Sequence, residues 1–362
     1  MPGAGDPPHR QRLTTRRGEQ HDMPKFAKGE ARAWALENLR GVTGCVMPSF
    51  TPDLAALNEE AIRHDVRREI ELGFNGFLIV SECGTSADEL RRFVRICVEE
   101  AGDGSVTVMQ ASASTLAENV ELVQFAEQAG VDLVLPSYPL GFYPQRADEV
   151  IGYTRALAEA SSLGLVVFAM NLWNFTRLHP SGFAPAWLEE VVDTVPQVVA
   201  IKNEIGDPGV AGLADVFRRF TGRVLVSDPL EMNAPAWVQT FGMPWMGTSN
   251  YEYLGAKVPE YFDLLQEPAG YEKAMEIYWQ LHPARTASGT LMKESNAGTS
   301  LVHRLLWKYQ GWLQGFNGGP VRSPHMRLHD RQMQLLRKAA TDSGLSVTDD
   351  EDAAFFAGRV PA

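Results

Sequence analysis

The sequence predicts an α/β fold, a (β/α)8 barrel of the TIM type carrying a C-terminal helical appendage. Three observations predict it. Short apolar runs recur at regular spacing, eight in all. They do not alternate with polar residues, which is the pattern of parallel strands buried on both faces. The intervals between them read as helices. Eight is the number that closes such a barrel, and no dinucleotide-type glycine fingerprint follows the first run to favour an open sheet.

The strands are expected at "GVTGCVMP" (41–48), "GFLIVS" (76–81), "VTVMQAS" (106–112), "DLVLPS" (132–137), "LVVFAM" (165–170), "VVAIK" (198–202), "RVLVS" (223–227) and "WMGTS" (245–249). In "ADELRRFVRICVEEAG", Leu90, Phe93, Val94, Cys97 and Val98 share one helical face, and Gly102 follows as a stop. Thr115 and Glu118 form a capping-box pair before the next helix, which Gly130 closes. Pro185 sits in a first helical turn, where its missing N–H costs nothing.

Residues 1–28 are expected to be a disordered extension, rich in Pro, Gly and Arg. The barrel is assigned to 29–252, helices to 253–340, and a mobile acidic tail to 341–362. The chain of 362 residues has 44% apolar and 22% charged residues, which suits a soluble globular protein. Its net charge of −12 argues against a nucleic-acid partner and against an anionic membrane surface. No apolar run approaches a membrane span, and the N-terminus lacks the apolar core of a secretory signal. Three cysteines, Cys45, Cys83 and Cys97, give neither a paired framework nor a metal spacing. A cytoplasmic location is the expectation.

In such barrels the chemistry lies where the strands end. Lys202 is the lone Lys or Arg closing any of the eight runs. A lysine at the mouth of an apolar barrel is desolvated, which lowers its pKa and frees the neutral amine for attack on a ketone. The bland alternative is a strand-end lysine paired with Glu82, Glu204 or Asp228. Position alone does not choose between them.

The motifs add a resemblance. "IKNEIGD" resembles the I-K-E-x-x-G-D of the dihydrodipicolinate synthase / N-acetylneuraminate lyase family of class I aldolases. "GCVMPSFTPD", then "SECGTSADEL" in the place of a G-T-T-G-E loop, the "SD" after the seventh strand and "GGPVRSP" near the end fit the same family in order. The similarity runs from about 41 to 330. It implies that Lys202 forms an imine with pyruvate or a related 2-keto acid, with no metal and no separate cofactor. It also implies an aldehyde or aldol as second substrate and a homo-oligomer, dimer or tetramer.

Carried over residue by residue, the resemblance also exposes departures. Met170 (or Ala169, if the register slips) stands where the family has its relay tyrosine, beside the matching Asn171. Glu82 and Cys83 replace the threonine pair that holds the keto-acid carboxylate. Tyr138, in "PSYPLGFYP", matches a family tyrosine and is the expected substitute acid/base, with Tyr143 a second choice. Arg177, Asp228 and Thr248 match substrate-binding positions, although capping or a turn is an equally ordinary role for Asp228. For Glu82 three roles stay open: proton relay, recognition of a cationic substrate group, or a salt bridge with an arginine.

The expected function is therefore a Schiff-base-forming lyase or aldolase. Keto-acid dehydratase and hydratase–aldolase chemistry use the same intermediate. A non-catalytic keto-acid-binding relative is the alternative from another class.

Overall fold

A computed structural model describes residues 25–27, 29–205, 208–296 and 302–362. A short helix α1 (Ala31–Asn38) precedes β1 (Gly41–Val46), and the chain then alternates α2 (Glu59–Glu71), β2 (Gly76–Ile79), α3 (Ala87–Ala101), β3 (Val106–Ala111), α4 (Leu116–Gln128) and β4 (Leu133–Pro136). It continues through α5 (Ala147–Glu159), β5 (Gly164–Met170), α6 (Pro185–Thr194), β6 (Val198–Glu204), α7 (Val210–Phe220), β7 (Leu225–Ser227), α8 (Ala234–Phe241) and β8 (Trp245–Gly247). Helices α9 (Lys257–Gln266), α10 (Tyr271–Gln280), α11 (His282–Asn296), α12 (Arg304–Leu313) and α13 (Asp330–Asp342) complete it.

All eight strands are parallel, in the order β7-β6-β5-β4-β3-β2-β1-β8. The seam between β7 and β8 carries no backbone ladder. There the Ser227 hydroxyl donates to the Gly247 carbonyl at 3.1 Å and accepts from the Gly247 N–H at 3.0 Å. The barrel is thus nearly closed, and a side chain completes it. The predicted eight strands are all present, each within a few residues of its predicted ends.

Two apolar layers follow from the two faces of each strand. One cluster fills the barrel interior with residues such as Cys45, Val80, Val108, Leu135, Phe168 and Met170. The other lies between barrel and helices and contains Val46, Ile79, Met109, Val134, Ala169 and Ile201. The capping box read from the sequence, Thr115 with Glu118 on α4, is in place, and Ser86 with Glu89 forms a second on α3. Helix α1 lies against the N-terminal end of β6, where Arg32 donates to the carbonyls of Val192, Val195 and Val198.

Two boundary expectations need correction. The extension assigned to 1–28 lies mostly outside the described residues, but its end is packed: Phe26 is buried, and the Lys25 amine bonds the Asp132 carboxylate at 2.9 Å. The acidic tail is not a loose end. Phe355 is fully buried against Tyr309 and Trp312 of α12, and Val360 closes on Asn58 and Asn317. Two of its acids are paired as well, Asp350 with Arg359 and Asp352 with Arg337. The charges that suggested solvation sit on a segment anchored by one aromatic ring.

Candidate active site

Strand β6 determines which way Lys202 points. A register shift between Leu165 and Val166 lets β6 slip one residue against β5, so Leu165 faces Val198 but Val166 faces Ala200. Such an irregularity resets which residues face inward. Beyond it, Phe168 pairs with Lys202 and Met170 with Glu204. Ala200, Lys202 and Glu204 therefore alternate into the barrel. Asn203 turns outward and donates to the Leu213 carbonyl.

Lys202 is 6% exposed. Its amine stands 3.9 Å above the centroid of the Phe168 ring and 3.6 Å from Glu204 Oε1. Burial lowers the Lys202 pKa, and the Arg304 charge adds to that; Glu204 works against both. Burial also raises the Glu204 pKa, against the pull of Lys202. The pair is a buried amine and a half-buried carboxyl, each pushed toward its neutral form.

Helix α12 roofs the mouth. Trp307 packs on the interior cluster. Arg304 and Lys308 are both buried and, four residues apart, lie on one face of α12. The Lys308 amine reaches the end of β1, bonding the Pro48 carbonyl at 2.9 Å and Ser49 Oγ at 3.0 Å. Arg304 stacks over Trp307 and donates to Glu82 Oε2 at 2.5 Å. Lys202, the lone Lys or Arg closing a strand run, is therefore not the lone cation at the mouth. Two more arrive from a helix a hundred residues downstream, which strand ends alone could not reveal.

The Glu82 loop is held from below. Gly84 has φ +79°, and a Cβ there would stand 2.6 Å from Arg322 Cβ. Arg322 grips Glu89, the α3 capping residue, through both terminal nitrogens at 2.7 and 2.9 Å. "GGPVRSP" thus fixes the loop that presents Glu82 and Cys83. Cys83 is buried, and its thiol is pushed up to about 11 by burial, so it stays protonated near neutral pH. Of the three roles open for Glu82, the structure shows the arginine salt bridge.

A hydroxyl arc lines the neighbouring strand ends. Ser81 Oγ lies 2.5 Å from Ser112 Oγ, and Gln110 Nε2 donates to Ser137 Oγ at 3.1 Å. Under α12 a cavity of about 20 Å³, large enough for a water, is lined by Cys45, Met47, Trp307 and Lys308 among others.

Several predicted site residues are elsewhere. Tyr138 belongs to the layer outside the barrel, ringed by Phe142, Tyr153, Trp173, Phe175 and Phe183. Its hydroxyl meets Thr154 at 2.6 Å, and burial raises its pKa. This corrects its expected acid/base role. Arg177 is exposed; it lies 3.7 Å over the Tyr143 ring and donates to the Pro144 carbonyl, so it braces the loop after β4. Asp228 is the turn residue its alternative reading described, accepting from Leu230 N, Asn233 and Trp237. Asn171 begins the turn after β5 and is exposed. Thr248 follows β8, and its buried hydroxyl has no partner among the described residues. Met170, not Ala169, faces the interior. The Gly206–Asp207 end of the lysine motif lies outside the described residues.

The comparisons with known proteins agree with this fold. Residues 38–219 match the model of the dihydrodipicolinate synthetase family. The 4-hydroxy-tetrahydrodipicolinate synthase of Methanopyrus kandleri is 23% identical over 317 residues, covering 85% of this chain and 97% of that protein. The N-acetylneuraminate lyase of Pasteurella multocida is 23% identical over 248 residues, 67% of this chain and 80% of that one. Among solved structures, N-acetylneuraminate lyase from Fusobacterium nucleatum complexed with pyruvate superposes with a TM-score of 0.69 at 18% identity, over 84% of this chain and 96% of that chain.

Proposed function

The chain belongs to the dihydrodipicolinate synthetase family, and from that premise we propose that it is a Schiff-base-forming lyase that makes or breaks a carbon–carbon bond to pyruvate or a related 2-keto acid. The observation that carries this reading is Lys202: an amine buried in the barrel interior, pushed toward its neutral form, with a carboxyl 3.6 Å away.

In this reading the neutral Lys202 amine attacks the keto carbon. The carbinolamine oxygen takes a proton and leaves as water, giving an iminium. In the cleavage direction the substrate hydroxyl loses its proton, the adjacent C–C bond breaks, and its electron pair enters the iminium to give an enamine. The aldehyde departs. The enamine carbon is then protonated, and water releases the keto acid and the amine. Synthesis runs the same steps in reverse. Met170 cannot carry these protons and Tyr138 is turned away, so Glu204 is assigned the proton transfers. Loss of water from a keto-sugar acid, or hydratase–aldolase chemistry, would use the same iminium.

The assembly proposed is a homodimer or homotetramer. Leu140 and Tyr143 are exposed on the loop after β4 and offer apolar surface for a contact between subunits. Among the described residues no helix is long and apolar enough to cross a membrane.

The absence of a tyrosine at the Met170 position favours one second reading: a relative that binds a keto acid without turning it over. The test has two parts. The protein is incubated with pyruvate, reduced with borohydride and weighed, and the adduct is located by peptide mapping. Turnover is then followed with a panel of aldols. An adduct on Lys202 together with turnover supports the lyase. An adduct without turnover supports the binding relative, and no adduct removes the lyase.

A further inference from the structure

We propose that Arg304 is the residue that recognises the keto-acid carboxylate, and that Glu82 stands in for that carboxylate when no substrate is bound. The inference rests on the Lys202 reading above and assigns that site its anion specificity.

Four observations carry it. First, Glu82 follows β2 and Lys202 lies two residues before the end of β6, on opposite sides of an eight-stranded ring. A small molecule attached to Lys202 extends across the mouth toward the β2 side. Second, the cation met there comes from α12. Arg304 is buried, its ring partner Trp307 packs on the same interior cluster as Phe168 and Met170, and its charge is felt at Lys202. Third, among the described residues its side chain makes a single hydrogen bond, from Nη2 to Glu82 Oε2 at 2.5 Å. A guanidinium offers a planar fork suited to both oxygens of a carboxylate, so one bond uses little of its capacity. Fourth, the two partners differ in burial. The Arg304 side chain is 8% exposed and the Glu82 side chain 40%. Arg304 is fixed, whereas Glu82 has a way out to water.

A buried arginine needs a counter-charge, because an unpaired buried charge is costly. Glu82 supplies one. An arriving 2-keto acid carries the same group, and exchanging one carboxylate for another keeps Arg304 neutralised throughout. This explains why an acid stands beside a site for an anionic substrate. A fixed glutamate there would repel the substrate, but one that can turn to water need not.

The test measures half-saturation for borohydride trapping with two ketones of the same reactive carbon, pyruvate and its neutral methyl ester. Wild type, Arg304→Gln and Glu82→Gln are compared, and pyruvate binding is also measured by calorimetry. Arg304→Gln is expected to raise half-saturation for pyruvate roughly tenfold or more, as loss of a charge-assisted pair implies, and to shift the ester far less, through the Lys202 pKa alone. Continued trapping of the ester also shows that the variant is folded. Glu82→Gln is expected to lower half-saturation for pyruvate, since a competitor is removed. The inference is overturned if Arg304→Gln shifts both ketones alike or neither, or if Glu82→Gln weakens pyruvate binding, which would make Glu82 a brace for Arg304. If wild type forms no adduct with either ketone, the Lys202 reading fails by itself. Calorimetry then decides: pyruvate binding that Arg304→Gln abolishes supports this inference, and binding that persists, or none in wild type, overturns it.

Discussion

Phe168 and Lys202 are register partners on adjacent strands, and the ring of one lies directly against the amine of the other, 3.9 Å from centroid to Nζ. The ring has two opposing effects. It excludes water, which favours the neutral amine, and its face attracts the ammonium, which favours the charged form.

Phe168→Leu separates these effects. Leucine keeps most of the exclusion and removes the π face. A contact worth about 1 kcal/mol then vanishes from the ammonium, and the Lys202 pKa falls by roughly half a unit to one unit. The pH at which imine trapping is half-maximal should move down by that amount. An upward shift would show that the ring acts chiefly by desolvation.

Glu204→Gln should leave imine formation in place and lower kcat by about 10²–10⁴-fold, the range for loss of a general acid–base group. KM should change little. The variant also removes the negative charge that raises the Lys202 pKa, so trapping should reach its plateau at lower pH than in wild type. Turnover equal to wild type would take the proton transfers away from Glu204.

Behind β1, Glu69 and Glu252 form a buried pair of acids beside Gly44, where a Cβ would stand 2.0 and 2.5 Å from their oxygens. Glu252 accepts from the Cys45 N–H, left free where β8 ends. Burial raises both acids, Glu252 to about 8. The folded state therefore holds protons that the unfolded chain releases near pH 4.3, the ordinary glutamate value. This contribution to stability is complete below that value and is lost as pH rises through about 8. Glu252→Gln should flatten that part of the profile, raising Tm at pH 8 by at least about 2 °C relative to wild type. Thermal unfolding between pH 5 and 8.5 checks it. An unchanged slope would assign the pH dependence to other groups.

Phe355 fixes the C-terminal segment to α12, the helix that brings Arg304 and Lys308 over the mouth. Phe355→Ala should cost about 3–5 kcal/mol of stability. It should also raise half-saturation for pyruvate, because α12 loses its outer support. Denaturant unfolding measures the first and borohydride trapping the second. A stability loss with no change in trapping would show that α12 is held by its other contacts.

The strands were legible because parallel strands buried on both faces leave non-alternating runs. Lys202 was legible because a charge at the end of such a run is conspicuous. Arg304 was not, since it lies 222 residues from Glu82 and its helix reads like any other amphipathic helix. Tyr138 misled because alternation turned Ser137, and not its neighbour, toward Gln110. The tail misled because "TDDEDAAFF" advertises its acids, while one buried ring decides where it lies. Glu204 was in view as a partner for Lys202, but only the register with Met170 shows that both face inward.

The central claim is that the Lys202 amine is the nucleophile. The most direct measurement is the mass of the protein after pyruvate and borohydride, in wild type, Lys202→Ala and Lys202→Arg, with circular dichroism to establish that each is folded. The account predicts one pyruvate-derived adduct in wild type, mapped to Lys202, and none in either variant, since a guanidinium stays protonated and cannot attack. An adduct of equal yield in a folded variant, or one mapped to another lysine in wild type, would contradict it.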